Sequence, residues 1–371
     1  MKIVMIGQKG IPTLFGGIER HVEKISCSLA REKKREVFVY ARSYYTPKNI
    51  KKYKKINIIH LPSIKTKHLD AISHVFLASW HAIFKIKADV IHYHGVGPAL
   101  CLWIPKFFYP RAKIIFTFHC RDYFHKKWSD LAQRFLRLGE AIGCLLADEI
   151  IVVSEEIQRY VLKKYNKKSS FIPHGIVQEK NISADLIKKW GLEKDNYILA
   201  VSRLIPHKGI HYLISAYQKT KTDKKLVIVG PDFYTPDYKK ELQRMSKNNS
   251  KIIFLDDQHG RVLKELFSNA YLFVNPSEQE GLPVTVLEAA GFGLPILLSD
   301  IKIHQEMLGD NVFFFKNKNT KNLAEKLEMI LTGQKLVSQK ASGAKNYLKN
   351  NYCSWEEIVE RIILKYVEFV I

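Results

Sequence analysis

Several features that would assign this sequence to a class at once are missing from it. Its five cysteines, Cys27, Cys101, Cys120, Cys144 and Cys353, are scattered and form no C-x-x-C pair, so neither a disulfide framework nor a zinc-ribbon type of metal site is indicated. That usage suits a reducing cytoplasm. No uninterrupted apolar stretch reaches the ~18 residues a membrane-spanning helix needs, and the opening MKIVMIG has no signal-peptide layout. The G-x-G-x-x-G fingerprint does not occur after the first apolar run, which weakens a nicotinamide-dinucleotide reading. No Asp-x-Asp triplet occurs anywhere, and a metal cofactor is not expected. Acidic residues are also few: 36 Asp and Glu stand against 59 Lys and Arg, a formal net charge of +23. Such a surface favours anionic membranes, polyanions or phosphorylated ligands, unless it only reflects a lysine-rich proteome.

What is present is a repeated alternation of short apolar runs and helical patterns over 371 residues, a length that favours two domains of roughly 150 to 200 residues. Strands are expected at Lys2 to Ile6, Val37 to Tyr40, Ile56 to Leu61, Val90 to His94, Lys113 to His119 and Glu149 to Val153. Between the first two, a glycine-punctuated loop from Gly7 to Gly17 leads into a helix with Ile18, Val22, Ile25 and Leu29 on one face. The polar stretch Gln178 to Asn196 reads as a linker with a short helix. A second series follows in YILAVSRL, KLVIVG, IIFLD, LFVNP and PILLSD, so the second half repeats the architecture of the first. Both halves read as Rossmann-like parallel sheets covered on two faces, with ligands expected at the carboxyl ends of the strands. The closing segment Trp355 to Val370 is amphipathic.

The stretch whose composition points most directly to chemistry is NPSEQEGLPVTVLEAAGFGLP, Asn275 to Pro295. It follows an apolar strand as a loop and helix would, the helix starting near Pro283, whose missing N–H is not needed in a first turn. Glu280 then lies in the loop and Glu288 about one and a half turns into the helix. Backbone N–H groups near Gly281 and Leu282 lie between them, suited to an elongated polar ligand. At the end of the second half's first strand, Arg203 and Lys208 in VSRLIPHKG supply two cations before Gly209, which suits a diphosphate. From Arg31 to Lys67 twelve Lys or Arg stand against two acids, and aromatic stretches follow at Leu69 to Ile86 and Ala99 to Pro110. Basic and aromatic residues together suit a membrane interface, while aromatics in the core and solvated lysines are the plain alternative.

VSRLIPHKG followed by PSEQEGLPVTVLEAAGFGLP resembles the retaining nucleotide-sugar glycosyltransferases of family 4, with the GT-B fold, whose hallmark is a pair of glutamates separated by seven residues. Glu280 and Glu288 keep that spacing. The resemblance extends through FGGIERHV (Phe15 to Val22), DVIHYHGVGPAL (Asp89 to Leu100), TFHCRDYFHKKW (Thr117 to Trp128), ADEIIVVS (Ala147 to Ser154) and FIPHG (Phe171 to Gly175). It implies two Rossmann-like domains with parallel sheets facing across a cleft. Residues 1–178 would be the acceptor domain, with a helix at about 355–371 packing back on it, and 179–354 the nucleotide-sugar domain. It further implies that Arg203 and Lys208 hold the donor diphosphate, Glu288 the ribose, and Glu280 with Gly281, Leu282 and Pro283 the transferred sugar. Gly16 and Gly17 would let backbone approach phosphate or acceptor, and His119 would face the donor sugar. Glu280, His119, Arg203 and Lys208 are thus the catalytic candidates.

Three positions depart from the family's pattern. Its usual asparagine before glycine is His174 here, the glycine expected after IIFL is Asp256, and the T-x-H-G turn reads Thr117-Phe118-His119-Cys120. The implied reaction moves a sugar, from a UDP-sugar by preference, to a lipid-linked saccharide in surface-polysaccharide synthesis, with retention and without metal or other cofactor. The enzyme would work peripherally on the inner face of the cytoplasmic membrane, on an anionic surface. Rival readings are a non-hydrolysing nucleotide-sugar epimerase, a silent scaffold of the same fold and a nucleic-acid-binding protein. No known nucleic-acid-binding module accompanies the charge, so no nucleic-acid partner is expected.

Overall fold

The computed structural model describes residues 1–371 except 15, 67–68, 125–127, 177–181, 233–234 and 368–371. Phe15, Lys67, the centre of the Thr117 to Trp128 motif, the start of the Gln178 to Asn196 stretch and the last residues of the closing segment therefore lie outside the described residues. The chain divides into two compact units, Met1–Gly175 with Cys353–Ile371, and Ile176–Tyr352.

The first unit holds β1 (Lys2–Ile6), β2 (Glu36–Arg42), β3 (Lys52–Tyr53), β4 (Ile56–Leu61), β5 (Val90–His94), β6 (Lys113–Phe118), β7 (Glu149–Val152) and β8 (Ser170–Phe171), in the sheet order β3-β4-β2-β1-β5-β6-β7-β8. Every pairing is parallel except β3 with β4. Near-continuous apolar runs such as KIVMI and KIIFTF are what a sheet buried on both faces requires. Ile3 lies beside both Val37 and Val90, so β1 is central and the strand order reverses between β1 and β5. The hairpin β3–β4 turns at Lys54 and Lys55, both at positive φ (45° and 67°). Two-residue hairpin turns demand that conformation, but they usually announce themselves with Asn-Gly, which is why this strand is not legible in KKYKKINI.

The helix Trp355–Val367 belongs to this unit. Trp355, Ile358, Val359, Ile362 and Tyr366 recur at helical spacing, are buried, and join a core with Val22, Ile25, Ile151 and Ile172. Each such buried side chain contributes about 1.5–3 kcal/mol relative to exposure.

The second unit holds β9 (Tyr197–Val201), β10 (Lys225–Val229), β11 (Ile252–Leu255), β12 (Leu272–Asn275), β13 (Ile296–Ser299) and β14 (Phe313–Phe315) in the all-parallel order β11-β10-β9-β12-β13-β14. Here the order reverses between β9 and β12, which makes the loops after those two strands the natural ligand site of the sheet. The segment expected as a linker is, from residue 182 onward, part of this unit. Ile187 and Leu192 are fully buried, Ile182 N–H donates to Ser268 Oγ (2.8 Å) and Leu186 N–H to Glu265 Oε2 (2.6 Å). Its sparse apolar residues are anchors, which polarity alone conceals.

Candidate functional site

The two loops at the reversal point of the second sheet are built against each other. β9 ends at Val201, Arg203 follows, a 3-10 turn covers Pro206–Lys208, and Gly209 (φ 68°) opens the helix Ile210–Tyr217. β12 ends at Asn275, and the loop runs to Pro283, the residue before the helix Val284–Phe292. Asn275 Oδ1 accepts from Ser277 N–H (3.1 Å), which turns the chain out of the strand. Glu278 N–H donates to the His207 carbonyl (2.8 Å). A Cβ on Gly209 would stand 2.0 Å from the Pro276 carbonyl oxygen, so backbone contact here admits no side chain. Glu278 braces the junction further, accepting from Tyr212 Oη (2.9 Å) and pairing with Lys318 (3.1 Å).

These loops bring Lys208 and Glu280 into contact. Lys208 Nζ donates to Glu280 Oε1 at 2.5 Å, and Ser277 Oγ donates to the same oxygen at 2.7 Å. Lys208 is therefore not the exposed cleft lysine that its surface-type residue suggests: its side chain is 14% exposed and that of Glu280 8%. Burial alone would raise the Glu280 carboxyl, but the ammonium of Lys208, with the Ser277 hydrogen bond, holds it below the usual carboxylate range. Behind them His304, at the start of the helix Lys302–Leu308, is buried, and burial pushes it down to about 4 although Glu280 pulls the other way. Ser299 ties the layer together, donating from Oγ to the Ser277 carbonyl (2.5 Å), while the His304 Nδ1 lies 2.9 Å from the Ser299 carbonyl oxygen.

Arg203 is half-buried, and among the described residues its guanidinium has no carboxylate partner, leaving a cation available beside the Lys208–Glu280 pair in sequence and topology. Glu288 sits half-buried in the second turn of its helix, with Gly281, Leu282 and Pro283 buried in the approach to it. The two glutamates thus occupy a loop and a helix of one strand–loop–helix unit.

In the first unit the reversal point lies between β1 and β5. Gly16 (φ 104°) caps the helix Gly17–Leu29, and a Cβ on it would lie 1.9 Å from Glu19 Oε2. Glu19 itself accepts from Lys9 N–H (3.1 Å) and pairs with Lys9 Nζ (3.6 Å). A carboxylate already covers the face that the glycine leaves open, an arrangement suited to hydroxyl donors more than to phosphate.

His119 follows β6 and is buried within a group of histidines. His94 Nδ1 lies 3.3 Å from His119 Nε2, His21 Nδ1 lies 2.9 Å from His174 Nδ1, and His92 contacts Thr117 Oγ1 (2.6 Å) and Tyr366 Oη (2.7 Å). Burial, reinforced by neighbouring imidazoles, holds His21, His94 and His119 well below the usual histidine range, so all three are neutral.

Comparison with known proteins follows this architecture unit by unit. Residues 15–180 match the model of Glycosyltransferase Family 4, and residues 183–347 that of Glycosyl transferases group 1. The chain belongs to the family 4 glycosyltransferases. Among curated relatives, the O-antigen chain mannosyltransferase RfbU of Salmonella typhimurium is 31% identical over 176 residues, which is 47% of this chain and 48% of the relative. The N,N'-diacetylbacillosaminyl-diphospho-undecaprenol alpha-1,3-N-acetylgalactosaminyltransferase of Campylobacter jejuni is 30% identical over 186 residues, 50% of this chain and 47% of the relative. Each match thus spans about half of that relative's length. Among solved structures, Anabaena HepE in complex with UDP and glucose superposes with a TM-score of 0.82 at 19% identity, covering 100% of both chains. The fold is GT-B, two Rossmann-like α/β units in one chain.

Within this family 4 member, the residues that depart from the family's pattern have structural explanations. His174 belongs to the histidine group, Asp256 is an exposed residue paired with Lys239 (2.8 Å), and the thiol of Cys120 donates to Asp122 Oδ1 (3.0 Å). Sequence reasoning missed Glu278, Ser277, His304 and the companions of His119. The histidines carry one legible signal, since His94 and His119 both end apolar runs in positions where a sheet presents its ligands.

Proposed function

We propose that this chain transfers a hexosyl or N-acetylhexosaminyl group from a nucleotide-sugar, a UDP-sugar by preference, to a lipid-linked saccharide, with retention at the anomeric carbon. The observation that carries the reading is the buried Lys208–Glu280 pair on two mutually braced loops at the sheet's reversal point, with Arg203 and Glu288 supplied by the same two strand–helix units. A nucleoside diphosphate needs cations at its bridging and leaving oxygens, hydrogen-bond acceptors for its ribose and a separate acceptor for the sugar. Arg203 and Lys208 serve the first need, Glu288 the second, and Glu280 with the backbone N–H groups near Gly281 and Leu282 the third.

In this reading, donor binding lets the Lys208 ammonium turn part of its charge from Glu280 to the diphosphate. That preorganised charge stabilises the leaving group as the glycosidic bond breaks, and no metal is needed for it. The acceptor hydroxyl approaches on the face from which the diphosphate departs, and the diphosphate takes its proton. His119, neutral and buried, donates or accepts a hydrogen bond at the sugar without itself carrying charge. The UDP preference is supported by the HepE complex, and the lipid-linked acceptor by the diphospho-undecaprenol acceptor of the Campylobacter relative.

The first unit has a surface suited to such an acceptor. Trp80 stacks on Phe84 (ring centroids 5.5 Å apart) and packs against Phe108 (5.1 Å), and Phe84 and Phe107 are 64% and 68% exposed. On the helix Asp130–Leu146, Leu131, Phe135, Leu138 and Leu145 are exposed at helical spacing. This exposed apolar surface suits insertion at the interface of an anionic bilayer, on the cytoplasmic face. No described helix is long and apolar enough to cross a membrane.

Nucleotide binding tests the assignment. A melting-temperature panel of UDP, GDP, dTDP, CMP and ADP should single out one base. Glu288→Gln should weaken the bare nucleoside diphosphate about tenfold, whereas Glu280→Gln should leave it nearly intact and abolish transfer. Equal losses in bare nucleotide affinity would overturn the division of roles.

A further inference from the structure

We infer that the histidine group of the first unit binds a divalent transition ion, Zn²⁺ first among them, through His21, His94 and His119. The three come from the helix after β1, the end of β5 and the residue after β6, so the fold alone assembles them. One ligating nitrogen from each lies within 4.8 Å of the other two. A tetrahedral ion with nitrogen ligands at 2.0–2.1 Å sets those nitrogens about 3.3 Å apart and the ring centres about 5.2 Å apart. His94 Nδ1 and His119 Nε2 are already 3.3 Å apart, and the three ring centres are separated by 5.0, 5.5 and 5.8 Å. Movement of the His21 ring towards the other two, from within 4.8 Å to the tetrahedral spacing, closes the set.

Two further observations point to a ligand. His21 Nε2, the nitrogen its ring can offer to this set, is buried without a hydrogen-bond partner, a costly state for an imidazole. His21 is also oriented through its other nitrogen by His174 at 2.9 Å, the way a metal-bound imidazole is normally held by a neighbour. Neutral imidazoles are the form that coordinates metal, and a site of nitrogen donors without carboxylates selects zinc-like ions over Mg²⁺ and Ca²⁺, which require oxygen. Three protein ligands leave the fourth position to solvent or to a ligand hydroxyl. This site lies in the first unit and shares His119 with the proposed sugar contact, but none of its ligands is among the residues assigned to the donor diphosphate, and its existence does not depend on the transferase reading.

The test uses the full chain, freed of metal by chelator, titrated with ZnCl₂ against a chromogenic zinc indicator, with MgCl₂ in parallel. One Zn²⁺ should bind per chain with micromolar or tighter affinity and raise the melting temperature, while Mg²⁺ does neither. His21→Gln and His94→Gln should each weaken binding more than about 100-fold, and His174→Gln about 10- to 100-fold. His259→Gln, at an exposed position in the second unit, should leave it unchanged. Should a histidine variant fail to fold, Co²⁺ bound to the unmodified chain gives the second readout, since a tetrahedral site produces intense visible absorption and an octahedral surface site does not. Absence of stoichiometric Zn²⁺ binding, unaltered affinity in folded His21 and His94 variants, or an octahedral Co²⁺ spectrum would each overturn the assignment.

Discussion

The Lys208–Glu280 pair allows a prediction in which stability and catalysis separate. Lys208→Met keeps the aliphatic stem and removes the charge, leaving the Glu280 carboxylate buried with only the Ser277 hydroxyl on Oε1. Such a carboxylate escapes its burial by taking up a proton. From an unfolded value near 4.4 this costs about 3.5 kcal/mol at pH 7 but only about 1 kcal/mol at pH 5. The variant should therefore lose about 3 kcal/mol at pH 7, in line with the loss of one partner of a buried ion pair, and much less at pH 5. Adding Glu280→Gln removes the stranded charge and should restore stability to within about 1 kcal/mol of the unmodified chain, giving a coupling of about 2 kcal/mol in the double-mutant cycle. Hydrogen exchange of peptides from β9 and β12 reports this locally in the second unit at both pH values. Transfer activity should remain down at least about a hundredfold in both the single and the double variant, because the leaving-group charge is not restored. A loss under 1 kcal/mol at pH 7, or equal losses at the two pH values, would refute the argument that the pair is buried and charged.

Other outcomes follow from the same geometry. Gly209→Ala places a methyl group against the Pro276 carbonyl at positive φ, so it should cost about 2 kcal/mol or more and reduce transfer by displacing Lys208; circular dichroism and a donor-saturated assay check both. His304 is held at about 4 by burial, below its unfolded value of 6.5, so the unfolded chain binds the extra proton between those values. Its neutral burial is thus without penalty above about pH 6.5 and costs stability as pH falls towards 4, about 2 kcal/mol by pH 5. Urea titrations of the unmodified chain and His304→Gln should converge or cross as pH falls; parallel curves would contradict this. On anionic vesicles, Phe84→Ser with Phe107→Ser should abolish the salt-resistant part of co-sedimentation. Lys51, Lys52, Lys54 and Lys55 changed together to Gln should reduce only the salt-sensitive part, which is screened over about 8 Å at physiological ionic strength. Binding unaffected by both sets of changes would remove the surface from consideration.

Local patterns in the chain were enough to read two parallel α/β halves, because buried strands and covering helices each impose a period that no other arrangement of these residues satisfies. The helix start beside Pro283 and the loop and helix positions of Glu280 and Glu288 belong to the same class of information, as does the amphipathic face of Trp355–Val367. The edge strand β3 escaped because its turn uses lysines at positive φ, and the segment after residue 181 because a few buried side chains anchor an otherwise polar stretch. Only the tertiary structure decided that Lys208 is spent on Glu280, that Glu278 locks the two loops together, and that His21, His94, His119 and His174 meet. Those contacts join residues tens of positions apart through the order of strands in a sheet, and the order of strands is set by packing across the whole unit, which no local period encodes.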